Sequence, residues 1–146
     1  MDHRAHLIED DARIGELIRS TRRIAVLGIK TEAQADQAAF YVPRFLHDRG
    51  VEVVPVPVYY PEVKEILGRP VHRKLADVPG EIDLVDVFRR PGDVPAHVPD
   101  LLAKRPRAVW LQLGIRNDAA AEALAREGIL VVQDRCLMVD WRRLAR

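Results

Sequence analysis

The segment at residues 22–30 constrains the fold of this chain more than any other stretch of its sequence. Its apolar run at residues 24–27, Ile-Ala-Val-Leu, is typical of a β-strand that is buried on both faces, and it leads directly into Gly28. Glycine at such a strand end lets the backbone turn tightly and approach a ligand closely. When a helix follows, its free N–H groups and positive dipole end favour an anion. The segment therefore predicts a phosphate site in an open parallel sheet.

The rest of the chain alternates apolar runs with segments of helical periodicity. Further strands are predicted at residues 51–56, 82–88, 108–113 and 129–132, and helices at 6–20, 36–49, 93–104, 118–127 and 137–144. The stretch 59–80 is irregular, with a short helical piece near residues 62–67. Pro43 falls inside a predicted helix, so it should lie in the first turn or kink the helix. This pattern predicts an α/β fold: a Rossmann-like, doubly wound parallel sheet of about five strands, in a three-layer α/β/α single domain.

Composition limits the number of domains, the classes of partner and the cellular location that we expect for this protein. The chain has 146 residues, 48% of them hydrophobic, which suits one domain, with an N-terminal helix within residues 1–21 and a core at 22–146. A net charge of +1 argues against nucleic-acid binding, and no apolar run indicates a membrane span or a secretion signal. One cysteine, Cys136, excludes an internal disulfide and favours a cytoplasmic location. The excess of arginine over lysine, with Asn117 as the single asparagine, favours a thermophilic origin, and a GC-rich genome is the alternative explanation.

The loop after the first strand argues against a dinucleotide. It lacks the G-x-G-x-x-G pattern, because Lys30 and Ala33 replace the later glycines, and it is not a Walker A loop. A NAD site also requires an acidic residue at the end of the second strand, where no carboxylate occurs before Glu62. Lys30 and Thr31 instead offer an ammonium and a hydroxyl to a phosphate. The alternative for Lys30 is a solvated surface lysine.

Two other strand ends carry candidate ligand groups. The third strand ends in Phe-Arg-Arg-Pro at residues 88–91, and adjacent arginines there suit phosphate binding or stacking on a purine. The alternative is that one arginine points to solvent while the other pairs with a carboxylate such as Asp86. At the end of the fourth strand, Gln112 can hydrogen-bond an amide and Gly114 permits close approach of a ligand. An ordinary glycine turn followed by an Asn117 helix cap would explain the same residues.

No group of residues predicts catalysis or metal binding. Cys136 falls at a predicted helix start, where a thiol can become reactive, but a small half-buried hydrophobic role is the simpler interpretation. Of the five histidines, His72 in the irregular segment is the one candidate for a role in phosphate transfer. No Ser-His-Asp order and no metal-ligand spacing stands out. We therefore expect neither catalytic residues nor a metal site.

Together these loops resemble a known family. The segments that carry the likeness are Val-Leu-Gly-Ile-Lys at 26–30, Val-Val-Pro-Val at 53–56, Val-Asp-Val-Phe-Arg-Arg-Pro at 85–91, Trp-Leu-Gln-Leu-Gly-Ile-Arg-Asn at 110–117 and Asp-Arg-Cys at 134–136. They resemble the stand-alone CoA-binding proteins, which are similar to the CoA-binding domain of the succinyl-CoA synthetase alpha subunit. The resemblance covers about residues 23–143 and is most specific at 110–117 and in the Phe-Arg-Arg-Pro segment.

The resemblance implies a Rossmann-like fold with coenzyme A lying across the strand ends. Carried over by position, the implied contacts are Gly28, Ile29, Lys30 and Thr31 for the phosphates, Pro57 and Val58 for adenosine, Phe88, Arg89, Arg90 and Pro91 for the adjoining wall, and Gln112, Leu113 and Gly114 for pantetheine. The first hypothesis is a module that binds CoA or an acyl-CoA without catalytic machinery, with a homo-oligomer or partner protein left open. The second is a CoA-thioester enzyme or subunit that needs a partner chain, and the third is a NAD(H) sensor.

Overall fold

The computed structural model describes residues 2–146, and a parallel sheet of five strands forms its centre. In chain order the strands are β1 Arg23–Leu27, β2 Glu52–Val56, β3 Glu65–Ile66, β4 Arg69–Pro70, β5 Leu84–Val87, β6 Ala108–Leu111 and β7 Leu130–Val132. Five of them pair in the order β2-β1-β5-β6-β7, while β3 and β4 form a separate antiparallel pair. The winding of the sheet reverses between β1 and β5, so ligands are expected at their carboxyl ends. The predicted Rossmann-like parallel sheet is confirmed.

In the described part of the chain, five α-helices cover the two faces of the sheet. They are α1 Asp11–Arg19, α2 Ala38–Asp48, α3 Val98–Lys104, α4 Asp118–Arg126 and α5 Leu137–Leu144. Strand residues alternate between the faces: Ile24 and Val26 pack with α1, α2 and α5, whereas Ala25 and Leu27 pack with α3 and α4. Both faces are therefore apolar, which explains the continuous apolar runs of the strands. No helix in the described part of the chain is long and apolar enough to cross a membrane.

The segment between β2 and β5 differs from its prediction. The prediction of a short helix near residues 62–67 is wrong, because this stretch leads into a hairpin of β3 and β4. Leu67 and Gly68 form its turn with φ angles of 56° and 68°, and a two-residue turn with two positive φ angles matches the twist of a hairpin. The carboxylate of Glu32, in the loop after β1, accepts the Leu67 amide at 2.9 Å. This contact holds Leu67 in a conformation that glycine adopts more easily, and it links the loops after β1 and β2.

The N-terminal segment forms less helix than its periodicity predicts. The helix expected at residues 6–20 begins after Asp10, which caps α1 by accepting the Arg13 amide at 3.0 Å. The residues before this cap extend the sheet instead, because the Ile8 amide donates to the Val131 carbonyl at 2.8 Å. The segment thereby covers the otherwise open edge of β7.

A proline also divides the helix predicted at residues 93–104. The first part is a 3-10 turn, Pro91–His97, and the α-helix begins only at α3. Pro95 lies inside the 3-10 turn and cannot donate a main-chain hydrogen bond, so an α-helix is unfavourable there.

The sequence predicted that Pro43 either lies in the first turn of its helix or kinks the helix. Pro43 lies beyond the first turn of α2, so the first of these two predictions is wrong. Because proline has no N–H, the carbonyl of Ala39 loses its usual helical donor. That carbonyl accepts the amide of Lys30 at 3.0 Å instead. The hydrogen bond fastens the loop after β1 to the helix that follows it.

Candidate ligand-binding site

Gly28 brings two loops together at the point where the winding reverses. Its φ angle is +85°, and a Cβ atom at this position would lie 2.3 Å from the Phe88 carbonyl oxygen and 3.2 Å from Cδ of Arg89. The Phe88 amide donates to the Leu27 carbonyl at 2.9 Å, which holds the loop after β5 against β1. A side chain is thus excluded at residue 28 because the neighbouring loop occupies its space.

The amides of the loop after β1 are mostly used inside the protein. Gly28 donates to the Val56 carbonyl at 2.9 Å, and Thr31 donates to the Gln34 side chain at 3.1 Å. The Thr31 hydroxyl is buried; it accepts the Ala33 amide at 3.3 Å and donates to the Gln34 side chain at 2.8 Å. These bonds form the capping box of a short 3-10 turn, Glu32–Gln34. In this arrangement the loop is shaped by its own residues rather than left open as a cradle.

The first turn of α2 is more open than the loop after β1. Gln37 is its N-cap and makes no side-chain cap hydrogen bond, and no acceptor within residues 2–146 contacts the amides of Ala38 and Ala39. The Lys30 ammonium donates to the Gln37 side-chain oxygen, which places this cation at the positive end of the helix. A cation there is unfavourable unless an anion accompanies it. The arrangement therefore suits a phosphate group.

The two adjacent arginines have different environments. Arg89 is largely enclosed: its Nε donates to Nε2 of His97 at 3.1 Å, its guanidinium lies 3.6 Å from the Asp93 carboxylate, and its Cζ lies 5.5 Å from the ring centre of Tyr59. Arg90 is exposed, and its guanidinium makes no ion pair or hydrogen bond with the described residues, although its carbonyl accepts the Asp93 amide at 2.9 Å. The structure therefore shows the alternative arrangement, in which one arginine faces solvent and the other is paired. Of the two, Arg90 is the one whose guanidinium is free to contact a ligand.

Asp86 is not the partner that the sequence suggested for an arginine. It lies on β5 between Val26 and Trp110 of the neighbouring strands and shares the sheet face of Leu84, two residues earlier. The side chain is fully buried, and neither carboxyl oxygen has a hydrogen-bond partner among the described residues. Burial raises the pKa of this carboxyl well above its ordinary range, because the apolar surroundings favour the uncharged form. The expected pairing is wrong because strand alternation turns Asp86 into the core, while Arg89 follows the strand and contacts the next turn.

The end of β6 combines a buried amide with an exposed apolar side chain. Gln112 is nearly fully buried, and its side-chain oxygen accepts the Leu137 amide at 3.3 Å, at the start of α5. Its NH₂ group makes no hydrogen bond to the described residues. The Gly114 amide donates to the Asp134 carboxylate at 2.7 Å. Leu113, between Gln112 and Gly114, is 66% exposed. The glycine turn and a cap by Asn117 on α4 are both present as well.

Exposed apolar side chains are concentrated at the carboxyl edge of the sheet. Val58 and Tyr59 follow β2 and are 37% and 57% exposed, and Leu113 follows β6. The remaining large exposed apolar residue in the described chain, Val139, lies on α5. Pro57, by contrast, is buried. The edge therefore presents cations and apolar surface together, as a ligand with a phosphorylated head and a less polar arm requires.

Sequence reasoning missed Tyr59 and His97, which together hold Arg89. Hydrogen bonding to Arg89 and its charge lower the pKa of the Tyr59 phenol. Burial lowers the pKa of His97, and the charge of Arg89 adds to the effect. An aromatic residue in the loop that follows a predicted strand was the available signal for Tyr59. The contact between His97 and Arg89 depends on the 3-10 turn after β5 and has no local signal.

The two other residues singled out in the sequence lie outside this crevice. The His72 amide donates to the Pro55 carbonyl at 3.0 Å, so His72 lies alongside the outer edge of β2. Its Nδ1 is buried and has no hydrogen-bond partner within residues 2–146. Cys136 is half-buried and packs against the core on the α1, α2 and α5 face, as the simpler interpretation predicts.

Comparisons with known proteins agree with this architecture. A model of the family described as CoA binding domain matches residues 22–142. The chain is 32% identical over 128 residues to Uncharacterized protein YneT of Bacillus subtilis (strain 168), and the match covers 88% of this chain and 91% of YneT. The structure of cell-free ID.343 from Thermus thermophilus is 39% identical with a TM-score of 0.84, and the match covers 93% of this chain and 99% of that one. A hypothetical protein from Pyrococcus horikoshii OT3 is 29% identical with a TM-score of 0.83, and 94% of each chain is covered.

Proposed function

The chain belongs to the CoA binding domain family, and from this membership we propose that it binds coenzyme A or an acyl-CoA across the carboxyl ends of β1, β2, β5 and β6. The family expected from the loop sequences is confirmed, while the closer likeness to the succinyl-CoA synthetase alpha subunit stays a prediction. One observation carries the proposal: open cationic groups and exposed apolar side chains share one edge of the sheet, at the point where its winding reverses.

The proposed phosphate-binding groups are Lys30, the first turn of α2 and Arg90. The helix amides and the two cations would each contribute a charge-assisted hydrogen bond to phosphate oxygens. Gly28 and Ile29 would form the floor of this region, because Gly28 brings the loops after β1 and β5 into contact. Thr31 would act by shaping the loop through its capping box.

The less polar parts of the ligand would follow the sheet edge to either side. Pro57 and Val58 would flank the adenosine after β2, with Phe88, Arg89 and Pro91 as the adjoining wall. On the other side, Leu113 and Gly114 would contact the pantetheine arm. The free NH₂ group of Gln112 would donate to an amide or thioester carbonyl, and its buried, anchored position makes it a well-ordered donor.

We propose binding without chemistry because the reactive side chains of the chain are occupied or lie elsewhere. Asp86 is buried in the core, and no described residue forms a hydrogen bond with its carboxyl group, so it lacks a neighbouring base and access to the crevice. His72 lies at the outer edge of β2, and His97 is occupied by Arg89. A role as the CoA-binding part of an enzyme would require a partner chain that supplies the reactive groups. The free Cys136 suits a cytoplasmic location, which belongs to the same proposal.

Calorimetric titration with CoA, acetyl-CoA and NAD tests the proposed ligand. We expect CoA to release measurable heat with a single site and NAD to release none. Binding of NAD with no heat from CoA would refute the proposal. Incubation with acetyl-CoA, followed by an assay for free thiol, tests the absence of chemistry. An activity that steadily releases thiol and stays with the protein through purification would favour the hypothesis of a CoA-thioester enzyme.

A further inference from the structure

Tyr59 stands out among the residues at the carboxyl edge of the sheet. It follows β2 after Val58, and 57% of it is exposed, whereas aromatic side chains in folded proteins usually bury most of their surface. Because β2 pairs with β1, the end of β2 adjoins the loop that begins at Gly28. The ring therefore presents a flat apolar surface beside the groups proposed to bind phosphate.

The main chain around Tyr59 is held in a strained conformation. Arg73 donates to the carbonyls of Tyr59, Tyr60 and Val63 at 3.0, 2.8 and 2.8 Å. Tyr60 has a φ angle of 63°, a left-handed conformation that is unfavourable for a tyrosine. Strain of this kind persists where surrounding contacts enforce it, and it concentrates at ligand sites.

The Tyr59 side chain is oriented from the other side of the crevice. Nη1 of Arg89 lies 3.5 Å from the phenol oxygen, and the guanidinium carbon lies 5.5 Å from the ring centre. Arg89 is fixed in turn by His97 and Asp93. The low pKa of His97 keeps its imidazole neutral, so that its Nε2 can accept the Arg89 Nε–H. The ring is thus positioned before any ligand arrives, which reduces the ordering cost of binding.

We infer that Tyr59 is the platform on which the purine base of the ligand stacks, an inference that rests on the proposed CoA-binding function. Every base has a π-face that stacks on an aromatic ring, and a guanidinium beside that ring adds a cation–π contact. The family resemblance places adenosine at Pro57 and Val58, yet Pro57 is buried and offers the base little surface. Tyr59 supplies the missing face one residue further along the same strand end.

Titration of the full chain with CoA and with phosphopantetheine, which lacks the nucleoside, tests the platform. Tyr59→Ala should weaken CoA binding about 5- to 100-fold and leave phosphopantetheine binding within about twofold. Tyr59→Leu keeps apolar contact but has no π-face, so it should lose nearly as much affinity for CoA. Tyr59→Phe keeps the ring and should retain most of the affinity. Because Tyr59 is exposed, all three variants should unfold thermally near the wild-type temperature.

Each outcome has a distinct meaning. Wild-type CoA affinity in Tyr59→Ala would overturn the platform and leave the proposed CoA binding standing. An equal loss for CoA and phosphopantetheine would also overturn it, because the substitution would then have disturbed the whole crevice. Failure of the wild-type chain to bind CoA would instead refute the proposed function, on which the platform depends.

Discussion

Charges are paired completely in one region of the molecule and left open in another. Where α1 meets α5, Arg135 and Arg143 each contact both Asp11 and Asp140, at distances between 2.6 and 3.1 Å. At the carboxyl edge of the sheet, Arg90 has no such partner within residues 2–146. The chain carries 22 acidic and 23 basic residues, so the open cation does not reflect a shortage of carboxylates. The difference fits the proposed function, in which the paired cluster supports the fold and the open edge binds the phosphates of the ligand.

The most damaging change to the open region should be Gly28→Ala, because it forces apart the two loops that form the crevice. The new Cβ would meet the Phe88 carbonyl at 2.3 Å on a backbone with φ of +85°. Left-handed strain and the clash together should cost about 3 kcal/mol of unfolding free energy or more, measured by urea titration. CoA binding should be lost with it.

Gly128→Ala is the matched control for that substitution. Gly128 has a φ of +84°, but nothing lies within 4 Å of its added Cβ, so the variant isolates the backbone strain. It should cost about 1–2 kcal/mol and leave CoA binding unchanged. Equal losses of stability in the two variants would show that the approach of Phe88 to Gly28 is unimportant.

The paired cluster should be essential for stability and irrelevant to binding. Asp140→Asn removes a nearly buried carboxylate that contacts Arg135 and Arg143, and the exposed Asp11 would remain as the one carboxylate that pairs with both guanidinium groups. Because both arginines are partly exposed, we expect a loss of about 2 kcal/mol in urea unfolding, below the cost for a fully buried pair. Asp11→Asn, at a carboxylate that is half exposed, should cost less than about 1 kcal/mol. A drop in CoA affinity in either variant would contradict the separation of the two regions.

Asp86 offers the opposite case to Asp140, since it is a buried carboxyl with no partner. Its folded-state pKa lies above the ordinary value of 3.8, so between these two values the folded chain binds more protons than the unfolded chain. Wild-type stability should therefore fall as pH rises from about 4 through that window. Asp86→Asn cannot ionise and should lack this fall, so at pH 8 it should be more stable than wild type by about 1–2 kcal/mol. Urea titrations of both proteins at pH 4, 6 and 8 measure the difference, and parallel pH profiles would show that Asp86 ionises without penalty.

The sheet was predictable from sequence because its determinants are local. Strands buried on both faces appear as continuous apolar runs, and each is followed by a segment of helical period, so the order of elements could be inferred without contacts. The β3–β4 hairpin was missed because its turn places Leu67 at positive φ, which sequence patterns assign to glycine. That conformation is held by Glu32, which lies in a different loop of the sequence.

The candidate site was predictable in position and less so in detail. Gly28 was identified from the strand that precedes it, but the physical reason that excludes a side chain is the Phe88 carbonyl on another strand. Arg89 and Arg90 are chemically identical in the sequence, and the fold separates their roles. His97 and Asp93 contact Arg89 from the 3-10 turn that follows β5. The sequence predicted an α-helix over these residues, and that helix would have placed the two side chains differently.

The mildest test concerns the open cations themselves. Lys30→Ala and Arg90→Ala should each weaken CoA binding about tenfold, the worth of one charge-assisted hydrogen bond to phosphate, with little change in stability. The loss should be larger at low salt than at high salt, because dissolved ions screen exposed charges. Arg126→Ala is the control, since Arg126 is an exposed arginine on α4 that already pairs with Glu122. If Arg126→Ala lowers CoA affinity as much as Arg90→Ala does, the net charge of the protein alone would explain the loss. That result would contradict the proposed difference between unpaired and paired arginines.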